Sequence, residues 1–317
     1  MRLKKTVSMF VFSVLTTILL LIGQANATSW QYYSGNYCLS FDGIDDYVSV
    51  SSSVYRSSYA ISIELWVKPE FTIETGSDAN YGHMLGAIVS STATWVGQNY
   101  GQGGWALYFN FSDGHMYFKY RQAPSWEGYW SIVTVGTNRH FWNSSSWYHI
   151  ATTYSSSSGL AFYVNKTIDK TTPADYYTIQ YDTSELDVGG YSNSGYMFQG
   201  LIDEVRLWNV SRTYAEISDS WDRVLNDTEC NNPDLVGYWR FDEGVGMESK
   251  DFSLQGNNAS LGLYPDTPTW ILIPEFPSLL VLPLFAALTM LAVSLKKVYG
   301  KRSRALSTCE MKNEAKL

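Results

Sequence analysis

The stretch Gly200-Leu-Ile-Asp-Glu-Val-Arg-Leu-Trp-Asn209 decides how this chain is read. Ile202, Val205, Leu207 and Trp208 surround an acidic pair, Asp203 and Glu204, and Val205 to Trp208 have the β-branched and aromatic character of a strand. Ser211 to Val224 follows as a short helix, with Ser211 at the N-cap position and Tyr214, Ile217 and Trp221 along it. Adjacent residues of a strand point to opposite faces, so Asp203 and Glu204 are expected on opposite sides of a sheet. That separation argues against a shared catalytic cleft. It favours structural roles, such as pairing Arg206 or capping backbone groups.

Working outward, strand-like runs recur and long helical periodicity is almost absent. Tyr37 to Phe41 and Tyr47 to Val50 flank Asp42-Gly43, a tight-turn signal. Ala60 to Val67 alternates, with Ile61, Ile63, Leu65 and Val67 on one face. Further strands are expected over Trp105 to Phe111, His115 to Tyr120, Trp147 to Tyr154 and Leu160 to Val164, then Leu186 to Gly189, Leu201 to Trp208 and Val236 to Phe241. Short strands separated by Gly-, Ser-, Asn- and Asp-rich turns predict an all-β sandwich or barrel in one domain.

Three segments carry a family resemblance. Leu39-Ser-Phe-Asp-Gly-Ile-Asp-Asp-Tyr-Val48 resembles the opening strand pair of laminin-G-like jelly rolls. Trp147-Tyr-His-Ile-Ala-Thr-Thr-Tyr154 with Leu160-Ala-Phe-Tyr-Val-Asn165 resembles their central hairpin, and Gly200 to Trp208 their Gly-x-Ile-Asp-Glu-Val-Arg strand. Leu235-Val-Gly-Tyr-Trp-Arg-Phe-Asp-Glu-Gly244, with Asp251, Asn257 and Asn258, is similar to a segment that often flanks such domains. The resemblance covers most of Cys38 to Trp270 and departs most over Tyr81 to Tyr129. It implies the concanavalin A-like fold, a jelly-roll sandwich of two antiparallel sheets.

Charge divides the chain. Thr28 to Trp270 holds all 12 Trp and has 27 acids against 12 bases, a net of −15; the flanks hold 3 acids and 10 bases, a net of +7, and together these give the overall −8. An acidic central domain repels phosphate backbones, which excludes nucleic acid as an expected partner. Residues 1–27 have a basic start, an apolar run and an Ala25-Asn-Ala27 end, the pattern of a secretory signal peptide cut after Ala27; an uncleaved signal anchor is the alternative. Phe276 to Leu295 is uncharged and long enough to cross a bilayer, and Lys296, Lys297, Lys301, Arg302 and Arg304 follow it. The expected division is therefore a signal peptide at 1–27, an extracellular jelly roll at 28–270, a linker at 271–277, a transmembrane helix at 278–295 and a basic cytoplasmic tail at 296–317. Ile273-Pro-Glu-Phe-Pro-Ser278 resembles the Pro-Glu-Phe motif of archaeal C-terminal sorting signals, which implies recognition by an archaeosortase-type enzyme. The tail is longer than that pattern, so cleavage and a permanent single-pass anchor both stay open.

Candidate chemistry is sparse. Asp42, Asp45 and Asp46 offer hard oxygens suited to Ca²⁺, against a plain turn made by Asp42-Gly43 with two solvated aspartates. The carboxylate triplet of concanavalin A-like glucanases is absent, and so are zinc-type His spacing, a G-x-S-x-G elbow and a P-loop, so no enzyme is expected. The expected ligand-binding set is Trp95, Tyr100, Trp105, Trp126, Tyr129, Trp130 and Trp142, rings in Gly/Ser-rich segments suited to stacking on sugars; filling the core is the alternative. Cys38 and Cys230 are an exported pair able to form a disulfide or to remain separate thiols, and Cys309 lies in the tail. Asn110, Asn143, Asn165, Asn209, Asn226 and Asn258 head N-x-S/T sequons. These features predict a cell-surface module binding glycan or an envelope protein. A glycoside hydrolase on the same fold and a purely structural envelope component are the alternatives.

Overall fold

Apolar residues at every second position give strands one oily face each, and two sheets bury those faces against each other. A computed structural model describes residues 37–51, 59–70, 85–91, 104–122, 131–180, 185–190, 196–262 and 267–273. In chain order the strands begin with β1 (Tyr37–Asp42), β2 (Val48–Val50), β3 (Ala60–Pro69), β4 (Leu85–Ser91), β5 (Trp105–Asn110) and β6 (Met116–Gln122). Next come β7 (Ser131–Gly136), β8 (Tyr148–Ser155), β9 (Gly159–Val164), β10 (Thr167–Thr171), β11 (Leu186–Val188) and β12 (Gln199–Trp208). Two short helices, α1 (Tyr214–Ser220) and α2 (Asp227–Cys230), precede β13 (Leu235–Trp239), β14 (Glu248–Ser249), β15 (Ala259–Leu261) and β16 (Thr269–Leu272).

The first sheet runs β10-β9-β8-β3-β12-β1-β16, with β13 also paired to β12; the second runs β14-β15-β2-β11-β4-β5-β6-β7. Every pairing between these strands is antiparallel. Ile61, Ile63, Leu65 and Val67 of β3 all enter the core, as their alternation predicts, and meet Leu107, Phe109 and Phe118 within the same apolar cluster. Removing such side chains from water supplies about 25 cal/mol per Å² of apolar surface, the main force holding the sheets together. The jelly-roll sandwich expected from sequence is therefore present.

One departure falls inside the deciding stretch. Pairing of β12 with β3 is regular from Gly200↔Pro69 to Asp203↔Trp66, then resumes at Arg206↔Glu64. Glu204 occupies the break with φ +53°. A β-bulge puts two residues opposite one and interrupts alternation. Val205 thus enters the core, while Asp203, Glu204 and Arg206 share the outer face, contrary to strict period-2 geometry. Gly200 at the strand's start has φ +144°, and a Cβ there would lie 2.3 Å from the Lys68 carbonyl oxygen.

The helix also starts later than expected. Thr213, and not Ser211, is the N-cap of α1: its hydroxyl accepts from Glu216 N, while the Glu216 carboxylate accepts from Thr213 N at 2.7 Å. This reciprocal capping box outcompetes an isolated serine. The signal segment, the apolar 278–295 segment and the Pro-Glu-Phe motif lie outside the described residues. Among the described residues no helix is long and apolar enough to cross a membrane.

Candidate binding rims and the buried ion network

The outer face of the first sheet carries charge under cover. Glu64, Asp203, Glu204, Arg206, Arg212 and His149 are all buried there. Glu64 pairs with Arg212 through Oε1, and its Oε2 lies 3.8 Å from both Arg206 Nη1 and His149 Nε2. Glu204 Oε2 accepts from Arg206 Nη2 at 3.0 Å and from the Tyr238 hydroxyl. Burial raises the Glu204 pKa, and Arg206 and Tyr238 oppose that rise by stabilising the anion. Burial opposes the Arg206 charge, but Tyr238, Glu204 and Glu64 more than compensate and hold its pKa above the usual arginine range. His149 is pushed well below the usual histidine pKa by burial and by the charges of Arg206 and Arg212.

These arginines fasten α1 and the chain after it. Arg212 Nη2 donates to Glu216 O at 3.1 Å, Arg206 Nη1 to Ser220 O at 2.9 Å and Arg206 Nη2 to Arg223 O at 2.6 Å. Cations at helix C-terminal carbonyls satisfy orphan acceptors and complement the helix dipole. Trp66 adds a bond from Nε1 to Trp221 O at 3.1 Å and stacks on the Trp221 ring. Asp203 and Glu204 do share a face, so the argument that separated them fails. Both are nevertheless buried beneath this cover.

The edges of the sandwich are more open. At one rim, where β1 ends, Asp42 Oδ1 accepts from Ile44 N at 2.8 Å, and Asp46 Oδ2 accepts from Asp42 N at 2.9 Å. Gly43, at φ +81°, completes the turn. One carboxylate oxygen from each of Asp42, Asp45 and Asp46 lies within 4.8 Å of the others. The donor set fits a hard cation in chemistry and spacing, while two of its oxygens also serve the turn.

The same rim holds Trp142, whose indole Nε1 donates to Gly114 O at 2.7 Å and whose ring meets Phe109 and Tyr148 edge-on. Arg139 lies over both the Trp142 and Tyr148 rings at 5.4 Å. Trp142 is half-buried and spent on packing. Trp105 is fully buried in β5. The core thus claims Trp105 from the expected binding set. Trp95, Tyr100, Trp126, Tyr129 and Trp130 lie outside the described residues.

The opposite rim is built around Asp175. Its carboxylate receives the Tyr120 hydroxyl at 2.6 Å, the Tyr154 hydroxyl at 2.8 Å, Gln122 Nε2 at 3.1 Å and Tyr177 N at 3.1 Å. Tyr120 comes from β6 and Tyr154 from β8, so one aspartate ties the two sheets together. Burial, then the bond to Asp175, pushes both phenols far above their usual pKa. The next residue, Tyr176, sits at φ +61° and is 80% exposed. Its N donates to Ser156 O at 2.8 Å, and Ser156 N donates to Tyr59 O at 2.9 Å. Tyr59 is 67% exposed, and Tyr177 is also exposed.

A bulky residue in the left-handed region costs about 1–3 kcal/mol and persists only where its surroundings hold it. Here Asp175 and Ser156 hold it, and an aromatic ring is turned to solvent. Residues 92–103 connect Ser91 of β4 to Gly104, whose N donates to Gln180 O at 2.6 Å; residues 123–130 connect Gln122 of β6 to Ser131 of β7. The described residues that bound these two segments, Ser91, Gly104, Gln122 and Ser131, therefore lie towards this tyrosine rim. Sequence reasoning missed Tyr59, Tyr176 and Tyr177, although the Asp-Tyr-Tyr run after a Pro was a readable loop signal.

Cys38 and Cys230 are both free, which corrects the expected disulfide option in favour of separate thiols. Cys38 is buried in β1, and burial followed by the nearby Asp203 charge pushes its thiol well up. Cys230 closes α2 beside a small apolar cluster of Trp208, Leu225, Leu235 and Tyr238, with Sγ 3.7 Å from Leu225 O. Among the sequons, Asn143, Asn226 and Asn258 are exposed and Asn110, Asn165 and Asn209 half-buried. Asn226 Oδ1 caps α2, and Asn165 Oδ1 accepts from His149 N at 2.9 Å.

Comparison with solved structures finds proteins of similar fold. A crystal structure from Bacteroides ovatus, of a protein proposed to bind carbohydrate, matches with a TM-score of 0.54 at 16% identity, covering 76% of this chain and 61% of that one. The chain thus spans about three-fifths of that structure's length. A heptameric SAP-like pentraxin from Limulus polyphemus matches at TM-score 0.40 and 17% identity, over 73% of this chain and 97% of that one. Mouse laminin α1 domains LG4-5 match at TM-score 0.40 and 12% identity, over 58% and 44% respectively. No curated protein sequence matches. The profile of the laminin G 3 family matches residues 42–218, more than half of the chain, and the chain belongs to the concanavalin A-like lectin/glucanases superfamily.

Proposed function

We propose that the chain is a non-catalytic, cell-surface module that binds glycan at the tyrosine rim. The observation that carries this reading is the exposed trio Tyr59, Tyr176 and Tyr177, on a loop strained at Tyr176 and anchored through Asp175. Exposed rings offer flat apolar faces to the C–H side of a sugar. Trp95, Tyr100, Trp126, Tyr129 and Trp130, which lie outside the described residues, are part of the same proposal as further sugar-stacking rings. The fold likeness to a structure proposed to bind carbohydrate supports the same class of ligand. An envelope protein is the other partner this surface suits. The acidic pair in the deciding stretch, Asp203 and Glu204, is buried in the ion network, which favours a structural role for it over cleavage.

A glycan array probed with the full chain tests this reading. Tyr176→Ala and the pair Trp126→Ala with Trp130→Ala should each lower binding about tenfold, the loss of roughly 1.4 kcal/mol of stacking. Unchanged signal in both would remove glycan from the reading. In the same proposal the signal peptide is removed after Ala27, residues 278–295 anchor the chain in the membrane, and the Pro-Glu-Phe segment precedes that anchor. Asp42, Asp45 and Asp46 are proposed to hold Ca²⁺. Calorimetric titration with Ca²⁺ should give heat that Asp46→Asn abolishes; no heat would leave the trio as a turn.

A further inference from the structure

The face around β16 exposes apolar side chains where water alone would select polar ones. Leu272 is 59% exposed, Val245 79% and Met247 45%, and Ile271 is exposed on the other side of the strand. These residues are neighbours. Trp270 Nε1 donates to Gly246 O at 3.0 Å, which lays the 243–247 turn on β16. A Cβ on Gly244 would touch the Tyr37 ring at 2.6 Å, and Tyr37 is the register partner of Leu272. The half-buried Trp270 ring fills the space beneath them and joins the main core. Among the described residues β16 is the last strand of its sheet, and none of them adds a strand on this side.

Where the chain goes next identifies what meets this face. Phe276, the first residue of the uncharged run to Leu295, lies four residues beyond Leu272. Four residues span at most about 14 Å even when fully extended. An apolar patch that close to an anchor entering a bilayer is within reach of its surface. We propose that Val245, Met247 and Leu272 dip into the headgroup–acyl boundary of the membrane that holds the chain. The inference rests on residues 278–295 being the anchor. The exported part is strongly acidic, so lipid charge contributes no attraction and the contact is apolar, as for interfacial segments that insert side chains. It is therefore insensitive to salt.

The test uses the full chain in phosphatidylcholine vesicles, with Cys38→Ala, Cys230→Ser and Cys309→Ser removing the native thiols. An environment-sensitive dye is attached at Met247→Cys or, as a control on the far edge strand β10, at the exposed Ile168→Cys. Nitroxide lipids should quench the dye at position 247 about twofold or more over that at 168, unchanged in high salt. Adding Val245→Ser and Leu272→Ser should remove the difference. Equal, water-like signals from vesicle-bound chain would overturn the docked face and leave the anchor standing. Chain that fails to float with the vesicles would overturn the anchor, and the docked face with it.

Discussion

Glu204 shows how a single backbone angle redirects chemistry. Its φ of +53° lets β12 carry an extra residue, and the carboxylate then turns outward to Arg206 and Tyr238. Nothing in the alternation of GLIDEVRLWN marks the bulge, because a non-glycine residue in the left-handed region is uncommon and leaves no compositional trace. The pairing of Glu204 with Arg206 was legible; the shared face was not. His149 gives the residue-scale prediction. Among the described residues neither ring nitrogen has a hydrogen-bond partner, and the ring packs edge-on to Trp66 and Trp221. Its folded pKa lies well below the model-peptide value of 6.5, so below pH 6.5 the unfolded chain binds the extra proton. The stability linked to His149 is therefore present above that pH and lost as pH falls. His149→Phe should keep stability at pH 8 and flatten the acid slope of melting temperature between about pH 6.5 and 5. An unaltered slope would exonerate this histidine.

At the scale of elements, α1 is held at both ends. The seven residues Tyr214–Ser220 are too few to persist alone, since isolated helices below about 12 residues are marginal in water. The Thr213–Glu216 capping box fixes its start, Arg212 donates to the Glu216 carbonyl in that first turn, and Arg206 takes the Ser220 carbonyl at its close. Arg212→Ala would strip Glu64 of its main partner in a buried site, at a cost of about 3–5 kcal/mol. Arg212→Met with Glu64→Gln should recover much of that loss in urea unfolding, because the uncompensated charge goes with the arginine. Strands that bury one face of alternating residues were readable, β3 and β8 among them. β7 was not: Ser131–Gly136 is an edge strand in which only Val133 and Val135 reach the core while Ile132 and Thr134 are exposed, too short an alternation to stand out beside the preceding aromatic segment. β4 lay hidden because Leu-Gly-Ala-Ile-Val-Ser-Ser is a short continuous run, which periodicity alone does not assign. α2 was signalled only by the Asn226–Glu229 capping box.

Across the whole molecule, the candidate chemistry divides between two rims that the sequence interleaves. The aspartate turn and Trp142 stand at one, while Asp175 and the exposed tyrosines stand at the other. Sequence did not show that Tyr59, Tyr176 and Tyr177 meet at one end of the sandwich, since that depends on which strands pair. The thiols argue the same point about long-range order. A bridge between Cys38 and Cys230 would close a loop of nearly two hundred residues, and the chain-entropy estimate for that is about 5 kcal/mol. Cys38 instead lies in β1 between β12 and β16, and Cys230 packs with Leu225 and Tyr238 at the end of α2. The sandwich thus holds its shape by the core shared between sheets, by the Asp175 tie and by the buried ion network. Melting temperature should accordingly be the same with and without a strong reductant. All 3 cysteines should react with a thiol reagent in denaturant, and Cys38 should resist it in the folded protein because burial suppresses its thiolate. A fall in melting temperature on reduction, with only one thiol titrating beforehand, would instead establish the bridge.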